Sequence, residues 1–254
     1  MENLLELRNI KFEYSSEKQS VVALDGIDLS VDKGEFVCIL GPSGCGKSTL
    51  LNIIAGLVKP TSGTAKMQEE EISGTNYHRA MVFQQHALYP WLDTKENVAF
   101  GPRIRGVEKK QIEKDVERYL HLVNLTEFAD SRIYELSGGM RQRVQLARVL
   151  INEPDIVLMD EPFGALDAFT RKDMQDLVRN IWTKSQNTFL LVTHDVDEAL
   201  CLGTRIIVMT SRPGRIAYET SAGFTFRIKA GEVNCQFTED YIMAKKELTS
   251  IICE

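Results

Sequence analysis

The chain has 254 residues, 43% of them hydrophobic and 26% charged, with a formal net charge of -6 and a sequence pI near 5.4. That supports a buried core in one large domain, or one domain carrying an inserted subdomain, and gives no general electrostatic drive toward nucleic acid or anionic lipid. Five cysteines, Cys38, Cys45, Cys201, Cys235 and Cys253, form no C-x-x-C pair, which argues against a disulfide framework or a zinc site and for a reducing compartment.

No stretch approaches the ~20 apolar residues that a spanning helix needs, so any membrane role is expected to run through a partner. Leu4 to Tyr14 and Val21 to Val31 alternate apolar and polar residues, the second around Asp25-Gly26, and read as antiparallel strands. From position alone, Tyr14 is a half-buried residue at a strand end. Glu35 to Leu40 is a short apolar strand, and Leu50 to Leu57 repeats apolar residues at helical spacing. Between them Gly41-Pro42-Ser43-Gly44-Cys45-Gly46-Lys47-Ser48-Thr49 fits G-x-x-x-x-G-K-[ST], the loop whose backbone N–H groups cradle phosphate at a helix start. Lys47 is expected to reach the β/γ-phosphates and Ser48 to ligate Mg²⁺. Cys45, beside Lys47 and the positive end of that helix, is expected to be a reactive thiol that a bound triphosphate shields, with Cys38 protected in the core.

Lys59 to Gly63 is a turn, Thr64 to Met67 a short strand, Gln68 to His78 a solvated loop, and Arg79 to Gln84 another strand. Tyr89-Pro90-Trp91 is an aromatic cluster suited to contacting another protein. Thr94 to Phe100 and Lys109 to Leu122 have helical spacing, with Gly101-Pro102 and Gly106 as breaks. Ser137 is a good N-cap for a helix from Met140 to Ile151, and Gly138-Gly139 leave backbone N–H groups open to an anion. Ile156 to Glu161 is a strand buried on both faces that delivers two carboxylates to the carboxyl edge of a parallel sheet. That places Asp160 to hold Mg²⁺ and Glu161 to polarise an attacking water. A helix from Asp167 to Ser185 follows. Thr188 to Thr193 then delivers His194 to the same edge, as a contact to the γ-phosphate or water. Arg205 to Thr210 and Gly214 to Tyr218 close the strand series, and Glu239 to Ile252 reads as an amphipathic tail helix.

From about Leu4 to Tyr218 the chain resembles the ATP-binding cassette (ABC) ATPases, whose motifs stand here in the family's order. They are Gly41 to Thr49 (Walker A), Gln84 (Q-loop), Leu136 to Met140 (signature), Ile156 to Glu161 (Walker B), Gly164 to Asp167 (D-loop) and His194 (switch histidine). The resemblance implies an α/β fold: a P-loop NTPase core with a mixed, mainly parallel sheet, an N-terminal antiparallel β subdomain and an inserted helical subdomain. The core would span about 1–92 and 153–220, the insertion about 93–152 and the tail helix about 239–252. It also implies ATP and Mg²⁺ as ligands, Tyr14 as an adenine-stacking aromatic, and Gln84 as a sensor of Mg²⁺ and water. Ser137, Gly138 and Gly139 would act in trans on ATP bound by a second copy.

Tyr89-Pro90-Trp91-Leu92 and Met209 to Ile216 resemble the bacterial nitrate, sulfonate and taurine importer ATPases. That implies a homodimer closed over ATP, integral membrane permease subunits, a periplasmic or lipoprotein substrate-binding protein, and a place on the cytoplasmic face of the cell membrane. Met140 stands where the family often has Gln, and Arg132 to Glu135 lacks a frequently seen proline. An exporter or cell-division ATPase shares the same core and stays open as an alternative. A soluble DNA-repair or translation ATPase would carry a long coiled-coil insertion or two fused cassettes, which this sequence lacks.

Overall fold

The computed structural model describes residues 2–15, 20–85, 87–185, 187–232 and 235–253. The chain divides into two compact units, Met1–Asn76 with Gln186–Glu254, and Tyr77–Ser185. In the first, β1 (Asn3–Ser15) and β2 (Ser20–Asp32) pair antiparallel, followed by β3 (Phe36–Leu40), α1 (Lys47–Ala55), β4 (Ser62–Met67) and β5 (Glu70–Glu71). The antiparallel sheet runs β2-β1-β4-β5 and buries Leu5, Leu7, Ile10, Ile27 and Leu29 on one face.

β5 lies within the stretch expected to be a solvated loop. Gln68 and Glu69 at φ 50° and 67° form the two-residue turn of a hairpin, with both central residues left-handed, a role usually signalled by Asn or Gly. Both glutamates of β5 stay exposed, so hydropathy gave no sign of it.

The second unit holds β6 (Arg79–Val82), α2 (Thr94–Ile104), α3 (Lys109–Leu122), α4 (Gly138–Leu150), β7 (Ile156–Asp160) and α5 (Ala168–Ser185), with β6 and β7 parallel. Ile112, Val116 and Leu120 form one stripe of α3 at i, i+4 and i+8 and pack with Val98, Val123, Ile133, Val144 and Ala147. α2 starts in a capping box: the Asp93 carboxylate accepts from the Glu96 N–H at 2.8 Å, and Glu96 accepts from the Asp93 N–H at 3.0 Å. It then runs through Gly101-Pro102, which the sequence marked as a break. The N–H missing from Pro102 falls in the last turn, so one bond is lost and the helix is kept. Gly101 is there for packing, since a Cβ would stand 2.4 Å from Asn152 Oδ1.

The chain returns to the first unit with β8 (Thr188–Thr193), α6 (Val196–Leu202), β9 (Arg205–Met209), β10 (Ile216–Ser221), α7 (Phe224–Lys229) and α8 (Glu239–Cys253). β3 lies between β8 and β9, parallel to both, and β10 pairs antiparallel with β9. Every residue of β3 and β8 is buried, as expected of parallel strands covered on both faces, and Phe36 stacks on Phe189 at 5.3 Å. α8 is tied to α6, with the Tyr241 hydroxyl donating to Asp197 at 3.1 Å and Lys245 pairing with the same carboxylate at 2.7 Å. Among the described residues no helix is long and apolar enough to cross a membrane.

Candidate functional site

Residues 41–46 turn the chain from β3 into α1, and the turn needs glycine where its backbone is unusual. Gly44 and Gly46 hold φ of 79° and 99°, and a Cβ on Gly46 would sit 2.7 Å from Leu24 Cδ2 and 2.8 Å from the Ala23 carbonyl. α1 has no side-chain cap and no acid in its first turn, so its leading N–H groups and dipole face an incoming anion uncontested. Lys47 is only 4% exposed and folds back over the loop, its ammonium donating to the carbonyls of Gly41 at 2.8 Å and Pro42 at 2.9 Å. Ser48 beside it is exposed. Thr49 shares a 2.9 Å hydrogen bond with the hydroxyl of Tyr14, whose ring is 53% exposed and so offers a face for stacking.

Cys45 overturns its expectation. Its thiol is 1% exposed, 3.9 Å from Lys47 Nζ, and burial pushes its pKa up despite the neighbouring ammonium. Desolvation of a thiolate outweighs the field of one helix end and one lysine, so the residue is a packed hydrophobe and not a reactive thiol. Cys38 is buried as expected, its pKa raised by desolvation first and by Glu198 second.

Leu40 of β3 stands opposite Thr193 of β8, so Gly41 and His194 leave neighbouring parallel strands at the same end. The turn carrying His194 is held by its neighbours Thr193 and Asp195 and by Glu198, which the sequence did not single out. The Thr193 hydroxyl donates to buried Glu198 at 2.6 Å and accepts from the Asp195 N–H at 3.0 Å. Asp195 in turn caps α6 through the N–H groups of Asp197 and Glu198.

In the second unit Val82 stands opposite Met159, which brings Gln84 to the end of β7, where its amide donates to Glu161 Oε2 at 3.3 Å. Asp160 is the last residue of β7, and Glu161 holds φ 43°. Ser137 caps α4 through a 3.2 Å bond from the Met140 N–H, so the helix begins at Gly138, two residues earlier than expected. Within the second unit the Gln84 amide and the Asp160 carboxylate offer oxygen donors of the hard kind that suits Mg²⁺.

Trp91 is 69% exposed, while Tyr89 packs on Phe100 at 4.3 Å beneath the Arg148 guanidinium. Asn97, fully buried, holds this segment by accepting from the Tyr89 N–H at 2.8 Å and donating to the carbonyls of Tyr89, Leu92 and Asp93. Nothing in the sequence marked it, because a polar residue at helical spacing reads as solvent-facing.

The strand, glycine loop and helix that close on Lys47 define a P-loop nucleoside triphosphatase. Within that class the ABC transporter family model matches residues 24–164, and the chain belongs to this family; it is an ATPase that binds ATP with Mg²⁺. It is 45% identical over 250 residues to the taurine import ATP-binding protein TauB of Ruegeria pomeroyi, covering 98% of this chain and 93% of that one. TauB of Pelagibacter ubique is also 45% identical, over 96% of this chain and 93% of its own length. Among solved structures, the dimeric cassette MJ0796 matches with TM-score 0.77 and 34% identity, over 87% of this chain and 99% of that one. A post-hydrolysis dimer of the same cassette bound to ADP and Pi matches with TM-score 0.76 and 33% identity, over the same 87% and 99%.

Proposed function

We propose that this chain is the ATP-hydrolysing subunit of a membrane importer for a small sulfonate, taurine foremost. The observation that carries the reading is the pairing of Gln84 with Glu161 at the end of β7, beside Asp160, in a chain akin to taurine import ATPases over nearly its whole length. In this reading the loop Gly41–Thr49 binds the phosphates, Lys47 turning from its loop carbonyls to the β/γ-phosphates, and Tyr14 stacks on adenine. Ser48, Gln84 and Asp160 would hold Mg²⁺, which when bound screens the charge of the phosphate oxygens. Glu161 accepts a proton from the attacking water, Gln84 keeps its carboxylate oriented, and His194 contacts the γ-phosphate.

Ser137, Gly138 and Gly139 act on ATP held by a second copy, as the dimeric relatives make reasonable. The subunit works on the cytoplasmic face of the cell membrane, with Tyr89 and Trp91 docking on a permease that a substrate-binding protein supplies. The cargo does not touch this chain.

Replacing Glu161 by Gln tests the core of the reading. It removes the base and keeps the shape, so ATP binding is expected to persist while turnover falls by about 10²–10⁴ and ATP-bound dimers accumulate on size exclusion. Hydrolysis near the wild-type rate with no trapped dimer would overturn the assignment.

A further inference from the structure

The turn between β9 and β10, within the stretch Met209 to Ile216, has no task in hydrolysis as described above, yet it is built against the phosphate loop. The Gly214 N–H donates to Ala23 O at 2.9 Å, and its carbonyl accepts from the Asp25 N–H at 3.1 Å. A Cβ on Gly214 would stand 2.1 Å from the carbonyl of Cys45, so only glycine lets the turn come this close. The Thr210 hydroxyl braces the turn from inside, donating to Pro213 O at 3.2 Å and accepting from the Arg215 N–H at 3.1 Å.

The two arginines of the turn are used differently. Arg215 pairs with Asp25, which Lys11 also binds at 2.8 Å. Arg212 points to the loop: its Nη2 and Nε lie 3.3 and 3.8 Å from where a Cβ of Gly44 would be. Its side chain is exposed, and among the described residues no carboxylate pairs with it. Lys47 meanwhile is engaged by the loop's own carbonyls. The fold thus holds a second, uncommitted cation on a braced turn at the rim of an anion-binding loop.

We propose that Arg212 is a phosphate-binding residue of the nucleotide site, its guanidinium gripping the phosphate chain of ATP and ADP. This rests on the reading that residues 41–49 hold those phosphates. A planar guanidinium makes charge-assisted, often bidentate bonds to phosphate oxygens, roughly twice as strong as neutral ones. The alternative role is cover for Gly44, which would need the shape of the side chain and not its charge.

Titration of fluorescent ATP and ADP against wild type, Arg212→Gln and Arg212→Lys separates the two. Arg212→Gln is expected to weaken both nucleotides by roughly tenfold or more, with the loss appearing in KM more than in kcat. Arg212→Lys should recover part of the affinity, and the gap between wild type and Arg212→Gln should narrow as salt rises. Wild-type affinity in Arg212→Gln overturns the proposal, as does equal weakness of the two variants, which would mean shape and not charge. Should Arg212→Gln fail to fold, Arg212→Met, of similar length and no charge, takes its place in the same comparison with wild type and Arg212→Lys. Lys47→Ala guards the underlying reading: if it binds ATP as tightly as wild type, the loop assignment fails, whereas wild-type affinity in Arg212→Gln alone sinks only Arg212.

Discussion

Gly41–Gly46 and Gly138-Gly139 each stand at the head of a helix, but the chain's own fold asks for glycine at only some of these positions. At Gly46 the backbone is left-handed and a side chain would strike Leu24 and Ala23 of the same unit. At Gly139 a Cβ would meet the Thr170 methyl at 2.4 Å, again a demand of the unit itself. Gly138 differs: its backbone is ordinary, and nothing lies within 4 Å of where its Cβ would be. The phosphate loop is finished inside its own unit, lysine and all. The head of α4 carries an open glycine that its own unit does not require, and the exposed Trp91 belongs to the same unit. What a methyl group would touch thus separates the glycines that the fold requires from Gly138, which the fold of its own unit leaves free to change.

The contrast can be tested by substitution. The largest effect is expected from Gly46→Ala. Left-handed backbone costs an ordinary residue about 1–2 kcal/mol, and displacing Leu24 adds an overpacking cost of about 1–3 kcal/mol. Thermal melting should fall by several degrees and ATP binding should be lost; a variant that melts and binds like wild type would mean that the loop tolerates a side chain at this position. Gly138→Ala comes next. Alanine is the better helix former, by about 0.8–1.0 kcal/mol in a helix interior and by less at this first position, so melting and ATP affinity of the isolated chain should hold or improve. ATP-driven dimerisation and turnover, measured together, should drop by roughly tenfold if a methyl is overpacked against a second copy. Unchanged turnover would remove the external demand for glycine.

The smallest effect sharpens the view of the loop's own supports. Hydrogen bonds from Lys11 and then Arg215 hold the Asp25 carboxyl down from 3.8 to about 2. A depressed carboxylate contributes stability that is fully present above its unfolded pKa and lost as pH falls through the folded one, here between about 4 and about 2. Asp25→Asn should therefore lower the melting point slightly at neutral pH and flatten its decline across that acid window. A decline identical to wild type would mean that the pair does not brace the turn.

Much of this was legible in the sequence because of how burial writes itself into composition. β3, β7 and β8 are covered on both faces and read as unbroken apolar runs, and the stripe of α3 repeats every fourth residue. The places of Gly41, Glu161 and His194 were legible for a similar reason: each directly follows such a strand. What escaped depends on neighbours that only folding supplies. The charge beside Cys45 is local in sequence, but the packing that buries its thiol is not. Asn97 and Glu198 look like surface residues until the partners that let them be buried are known. α7 was not anticipated; it is a short helix with Phe226 exposed, and so has little periodicity to read.

The backbone of Glu161 sits at φ 43°, a conformation that glycine adopts freely and glutamate does not. That tension comes from the Cβ and is released only by glycine, which also lacks the carboxylate proposed to activate water. Heat and work would therefore select opposite residues at this position. A lineage screened only for surviving high temperature would drift toward glycine and lose its engine, while one that lives on what the pump brings in keeps a permanently uncomfortable glutamate.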